Sequence, residues 1–248
     1  VITLAPTVTF IDSGELATAC YQLNTAHPTG YPLFTLLGRI FTLIPIFSPI
    51  YLLNLMSAVF TSVAVAVTFK LLVEFLGRIS ADYKFLINKN LVTNVIAFSG
   101  ALMLAFSKTY WDTSLSIEVY NLHKIFLSLI IYLFIKASYE DDSGKYWILF
   151  AFVLGLSFGN HLSTLFLSIG SIYFYFAINK FSKISFRRLF IMSLPFLAGL
   201  SVYLYLPVRG EFANISWGYP VNWDNFVRHI SGKQFSVWMF SSTDVPAK

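Results

Sequence analysis

Long apolar runs alternate with short polar stretches along this chain, and the lengths of the runs set the class of structure. Uncharged or nearly uncharged segments occupy Ile50–Phe69, Leu91–Ser107, Val119–Ile135, Tyr146–Asn179 and Leu189–Val208. A helix needs roughly 20 such residues to cross a hydrocarbon core about 30 Å thick, so each run predicts a membrane helix. The fourth would reach roughly 50 Å at about 1.5 Å per residue, and is expected to fold back on itself as a hairpin of two spans broken at Gly159-Asn160-His161. Leu33–Leu43 reads as a further apolar helix, and Leu16–Tyr21 as a short one.

The basic residues give an independent check on the hairpin. Lys70, Arg78, Lys84 and Lys89 share one loop; Lys180, Lys183, Arg187 and Arg188 share another. Cytoplasmic loops collect Lys and Arg, and both clusters fall on that side only if the fourth run crosses twice. Residues 12–48, 108–118, 159–161 and 209–248 then lie together on the outer face. The expectation is an all-α, polytopic transmembrane bundle, with a membrane domain over residues 1–208 whose first outer loop is 12–48. Residues 209–248 begin an outer segment. Val1–Pro6 reads as the tail of a longer helix, and Trp238-Met-Phe-Ser-Ser-Thr has no closing element, so truncation at both ends is expected. The inner stretch Glu140-Asp141-Asp142-Ser143-Gly144-Lys145 reads as a solvated turn.

Composition agrees: 56% of residues are hydrophobic and 12% charged, against about 25% charged in soluble domains. The net charge of +5 comes from loops and not from a basic tract interleaved with aromatics, so no nucleic-acid partner is expected. A single cysteine, Cys20, excludes an intramolecular disulfide framework and a thiolate cluster. The four histidines form no dense ligand pattern of the His-Glu-x-x-His kind, and no metal is assigned; the part of a divalent cation stays open. A phosphate-cradling glycine loop and a nucleophile elbow are both missing.

The unusual polar residues collect on the outer side. Asp12-Ser13-Gly14-Glu15 places two carboxylates at the membrane surface, suited to acid–base work; Asp12 or Ser13 equally suits a helix N-cap. His27-Pro28-Thr29-Gly30-Tyr31-Pro32 enforces a rigid bend that either aims His27 at a site or serves as a corner. Between Lys108 and Lys124, an Asp112-capped helix with interfacial aromatics is one reading. The other puts Glu118, Asn121, His123 and Lys124 within the first two turns of a helix starting near Ile117, where Lys124 can hold a phosphate. His161 lies at the hairpin tip. Arg209, where the last run emerges, is either a snorkelling anchor or a phosphate clamp. Trp217, Trp223 and Trp238 supply aromatic platforms suited to sugar or to an interfacial lid.

Several segments together, Leu4–Glu15, Ala26–Leu33, Ile117–His123, Gly159–Thr164, Tyr205–Arg209 and Gly232–Phe235, resemble the protein O-mannosyltransferase-like membrane family that includes transmembrane protein 260. The similarity runs over nearly the whole chain. That family is similar to the C-type glycosyltransferases, polytopic enzymes that pass a sugar from a polyprenyl-phosphate carrier to an acceptor on the outer face. The resemblance implies an inverting mannosyl transfer to a hydroxyl, of protein Ser or Thr or of a lipid. Asp12 would be the general base, with Glu15 as partner or substitute. Substrate-binding roles fall to His27, Tyr31, Glu118, His123, Lys124, His161 and Arg209. Expected partners are membrane lipid, the polyprenyl-phosphate-linked sugar and the acceptor.

Two other classes compete. A transporter or flippase predicts charges near the midplane of the spans, yet the central thirds here are almost charge-free. An assembly protein predicts outer loops without a common pocket, with Asp12 and Arg209 far apart. The abundance of Lys, Ile, Asn and Phe leans toward a bacterial inner membrane with a periplasmic site, the endoplasmic reticulum with a lumenal site being the alternative.

Overall fold

The computed structural model describes residues 2–9, 11–80, 89–139 and 144–236. Expectations for Lys84, for the turn through Glu140–Ser143 and for Trp238 lie outside these residues. Within them the chain is an all-α membrane bundle: α1 (Ser13–Gln22), α2 (Pro32–Thr42), α3 (Pro49–Ser80), α4 (Lys89–Ala105), α5 (Lys108–Ser114), α6 (Val119–Tyr139), α7 (Lys145–Phe158), α8 (Thr164–Asn179), α9 (Lys183–Leu200), α10 (Tyr205–Gly210) and α11 (Trp223–Ile230). Pro49–Ile79, Val119–Tyr139 and Lys183–Gly210 are long and apolar enough to span. α4 joins them if it and α5, bent from it by 62°, count as one broken span.

The hairpin is present. Trp147, at the start of α7, meets Tyr175, near the end of α8, with ring centroids 5.0 Å apart, so the two helices run antiparallel. Their 14 and 16 residues give only about 21 and 24 Å, so each limb is shorter than an upright crossing of a full hydrocarbon core. Below them the polar groups pair off. The Glu74 carboxylate is held between Arg78 and Lys136; Arg188 donates to Asn179 Oδ1 (2.8 Å); Ser182 caps α9 by accepting from the Ser185 amide.

Packing order follows the sequence patterns. α3 lies along α4 and α6, α6 on α7, and α7 on α9. The last crossing is close because Gly155 and Gly199 face each other: a Cβ on Gly155 would run into the Phe196 carbonyl oxygen, and one on Gly199 into that of Phe152. Small residues let membrane helices approach in this way. The outward faces of α4, α8 and α9 carry exposed Val95, Met103, Phe166, Ile169, Phe190 and Leu194, the surface that lipid would cover.

Three expectations need correction. Residues 2–9 run as turns and extended chain and not as the tail of a helix; they are pinned where the Ala5 amide donates to Leu115 O (3.0 Å) and Asn54 Nδ2 donates to Ala5 O (2.8 Å). Asp12 occupies the N-cap position of α1 without making the capping bond. Ser13 Oγ instead takes up the Thr9 amide and carbonyl. Asp112 caps nothing, lying exposed inside α5, a helix that the polar pattern concealed.

α1 packs flat on α2 through Cys20, whose sulfur occupies the space a side chain at Gly38 would need. The thiol is fully buried, and burial pushes its pKa up. Maleimide is therefore expected to leave the detergent-solubilised native protein unlabelled and to modify one thiol per chain after denaturation. Rapid labelling of the native form would contradict the α1–α2 packing.

Candidate functional site

The site grows from the bend before α2. Gly30 and Tyr31 both take left-handed backbone, which swings the chain into α2, and Pro32 opens that helix where no amide is needed. The bend aims His27 back at α1. The His27 amide donates to Glu15 Oε1 (2.7 Å), His27 Nδ1 pairs with Glu15 Oε2 (2.6 Å), and Tyr31 Oη meets Nε2 (3.1 Å). Asp12 stands one helical turn before Glu15, so both carboxylates leave the same end of α1. One oxygen from each and one ring nitrogen of His27 lie within 4.8 Å of one another.

Glu118 completes the cluster from the second outer loop. Its placement is set by α3: Asn54 Oδ1 accepts the Ile117 amide (2.9 Å) and Ser57 Oγ the Glu118 amide (3.4 Å), fixing the entry to α6. Burial, and then repulsion from Asp12, raises the Glu118 carboxyl above its ordinary pKa, with His27 opposing. Burial works against the His27 imidazolium, but the Glu15 hydrogen bond and the charges of Glu15, Asp12 and Glu118 outweigh it, so its pKa is raised. Tyr31 is pushed up by burial and by the surrounding Tyr120 and carboxylates.

On the other side of Tyr31 the hairpin tip contributes a second polar group. His161 stacks on Tyr31 (6.5 Å between centroids) and lies near Tyr120 (5.2 Å) and His123 (5.0 Å). Ser163 Oγ bridges His161 Nδ1 (2.8 Å) and His123 Nε2 (2.7 Å). The tip is locked down by two bonds: the Leu33 amide donates to Gly159 O (3.2 Å), and the fully buried Asn160 donates to Val119 O (3.1 Å). Burial lowers the pKa of His161.

Two expected phosphate ligands are engaged elsewhere. Lys124 bonds Thr113 Oγ1 (2.6 Å) and Asn121 Oδ1 (2.8 Å) and lies over the Tyr110 ring, tying α6 to α5. Arg209 donates to Leu23 O (3.0 Å) and Gln22 O (3.4 Å), closing the C-terminal carbonyls of α1. It therefore sits at the end of α1 opposite Asp12, about 15 Å away by helix rise. The separation of Asp12 from Arg209 is the arrangement expected of an assembly protein, whereas Asp12, Glu15, His27, Tyr31, Glu118, His123 and His161 form a continuous set of contacts and charges.

Residues 12–185 match the family model described as Protein O-mannosyl-transferase TMEM260 N-terminal domain. The chain belongs to that family. It is 30% identical over 241 residues to the mouse (Mus musculus) Protein O-mannosyl-transferase TMEM260, covering 94% of this chain and 32% of the relative. The Dictyostelium discoideum Protein O-mannosyl-transferase tmem260 is 24% identical over 251 residues, covering 94% of this chain and 29% of the relative. The chain thus spans about a third of the length of these relatives. No solved structure matches. Both relatives are eukaryotic, so they give the bacterial reading no support and are compatible with the endoplasmic reticulum.

The stretch matched to the TMEM260 N-terminal domain runs from Asp12 through His161 and stops short of Arg209 and the outer segment. Sequence reasoning missed Ser163, whose signal was its place two residues after His161 at a helix break. His229, one of the polar groups beside the Trp217 and Trp223 platforms, is not on the surface that a sugar or lid would use. Its ring is buried on α11, wedged between Gly30 and Gly218, where a Cβ on either would come within 2.9 Å of a ring nitrogen. Both glycines have left-handed backbone, so neither position suits a larger residue.

Burial lowers the His229 pKa to about 4, the Ala26 backbone opposing, with His27 lowering and Glu15 raising it. A histidine with a depressed folded-state pKa supports folding above its unfolded value near 6.5 and loses that support as pH falls toward 4. The loss is expected to be on the order of 3 kcal/mol. Thermal unfolding between pH 7 and 4 should show it, and His229→Gln should flatten the profile; an unchanged slope in that variant would remove His229 as the cause.

Proposed function

We propose that this chain is the membrane-embedded catalytic part of a protein O-mannosyltransferase. It moves mannose from a polyprenyl-phosphate carrier to a Ser or Thr hydroxyl on the non-cytoplasmic face, which for a eukaryotic chain is the lumen of the endoplasmic reticulum. One observation carries the reading: two loops bring Asp12, Glu15, His27 and Glu118 into a single half-buried cluster of carboxylates and imidazole. Placed at the membrane surface, such a cluster meets a lipid-borne donor from one side and a soluble acceptor from the other.

The chemistry is an inverting displacement. Asp12 takes the proton of the acceptor hydroxyl as that oxygen attacks the anomeric carbon; the bond from that carbon to the phosphate oxygen breaks, and the lipid phosphate leaves with the electron pair. Asp12 suits the role because its carboxylate makes no hydrogen bond among the described residues, whereas Glu15 is held by His27. His161, Ser163 and His123 form the hydrogen-bonding wall across Tyr31 that faces the departing group. Grouping of the carboxylates at one surface, with Glu74 paired at the opposite end, favours this over a midplane transport path.

Purified protein in detergent, given radiolabelled polyprenyl-phosphate mannose and a Ser/Thr peptide, is expected to label the peptide. Label that stays on the donor with both peptide and lipid acceptors would overturn the assignment of donor and move the reading toward another lipid-linked sugar or toward transport.

A further inference from the structure

We propose that Asp12, Glu15 and His27 form a site for a divalent cation of the Mn²⁺ or Mg²⁺ class, which neutralises the donor's phosphate. The cation's role in the reaction rests on the transferase reading above; its binding does not. Two carboxylate oxygens and an imidazole nitrogen are the mixed hard and borderline donor set that such ions accept, with positions left for water and a phosphate oxygen. Two ligands of one ion at bond lengths of about 2.0–2.2 Å lie no more than about 4.4 Å apart, so the 4.8 Å spread seen here closes by a fraction of an ångström.

The side chains are also held for the purpose. The His27 amide fixes Glu15 through Oε1 and the Tyr31 hydroxyl sits on Nε2, which holds Nδ1 against Glu15 Oε2 at 2.6 Å, a hydrogen bond that a cation taking both atoms as ligands would replace. Outer partners of this kind orient ligating groups. Asp12, at the N-cap yet without a capping bond, keeps its oxygens free.

A second, independent argument comes from charge. A phosphate entering this pocket meets Asp12, Glu15 and Glu118, three carboxylates close enough to act on His27 together. Arg209 and Lys124, the basic residues best placed in sequence to offset that repulsion, are engaged by the α1 carbonyls and by Thr113 and Asn121. A dication held by Asp12, Glu15 and His27 would supply positive charge to the lipid phosphate from this side of Tyr31, opposite the His161–Ser163–His123 wall. One Asp12 oxygen can bind the ion while the other receives the proton.

The test is a Mn²⁺ titration of the full chain in detergent, stripped with EDTA and followed by loss of the free-ion EPR signal. One Mn²⁺ per chain is expected, weakened about tenfold or more in Asp12→Asn and in His27→Asn, and unchanged in Glu211→Gln, an exposed carboxylate outside the pocket. Asp12→Asn breaks no hydrogen bond among the described residues, so unaltered binding in that variant, or no saturable binding in the wild type, overturns the site. Bound Mn²⁺ without sugar transfer would uphold the site and overturn the donor assignment made above. Transfer at full rate by the stripped protein would do the reverse for the cation's role.

Discussion

Asp12→Asn is expected to lower mannosyl transfer by about 10²- to 10⁴-fold, the range that loss of a general base produces, while leaving the thermal stability of the protein unchanged. The two halves of this expectation have separate causes. Asparagine keeps the shape of the side chain but cannot take a proton. Stability holds because the Asp12 carboxylate makes no hydrogen bond among the described residues, not even the cap its position would permit. Glu15→Gln should behave differently, losing activity and stability together, because Glu15 holds both the amide and the ring of His27 and so shapes the turn itself.

The informative rival is Glu118→Gln. Glu118 is half-buried and its carboxyl is raised by burial and by Asp12, which moves it toward the range of an effective base. The comparison reads kcat for both variants against a saturating donor. A collapse in Asp12→Asn with a small change in Glu118→Gln assigns the proton to Asp12. The opposite pattern transfers the role to Glu118 and leaves Asp12 with the electrostatic one.

The largest effect of a single substitution on stability is expected where α7 crosses α9. Gly155→Ala should destabilise the bundle by about 1–3 kcal/mol, since the added methyl group meets the Phe196 carbonyl and forces α7 off α9. Alanine is the better helix former, so propensity alone predicts a gain of about 1 kcal/mol in the same helix interior. Gly170→Ala, on α8 with open space around it, is the control and should be neutral or stabilising. Thermal unfolding of the two variants side by side decides the matter: equal midpoints would mean that α7 and α9 do not approach as closely as described.

Much of the architecture was legible because the bilayer imposes long apolar runs, which survive in one dimension. Each predicted run became helical, and the fourth folded back as the expected hairpin, although α7 and α8 are each shorter than an upright span. The bend at His27–Pro32 could also be read, because proline and glycine act on local backbone. The first helix cap could not. Whether Asp12 or Ser13 makes the bond depends on where residues 2–9 go, and Asn54 on α3 and Leu115, just after α5, decide that from far along the chain.

Function divided in the same way. From the order of apolar runs and charges along the sequence came the expectation that carboxylates and histidines gather toward one end of a helical membrane bundle. Which of them share a pocket was decided by the tertiary structure. Arg209 and Lys124 have the right charge on the right side, yet unsatisfied carbonyls at the end of α1 and hydroxyl and amide oxygens beside α5 hold them first. Hydrogen-bonding demand of that kind is set by neighbours in space, and linear order does not carry it. Asp12, Glu15, His27 and Glu118, drawn from segments up to about a hundred residues apart, meet only because Asn54 and Ser57 fix one loop and the Gly30-Tyr31 turn aims the other.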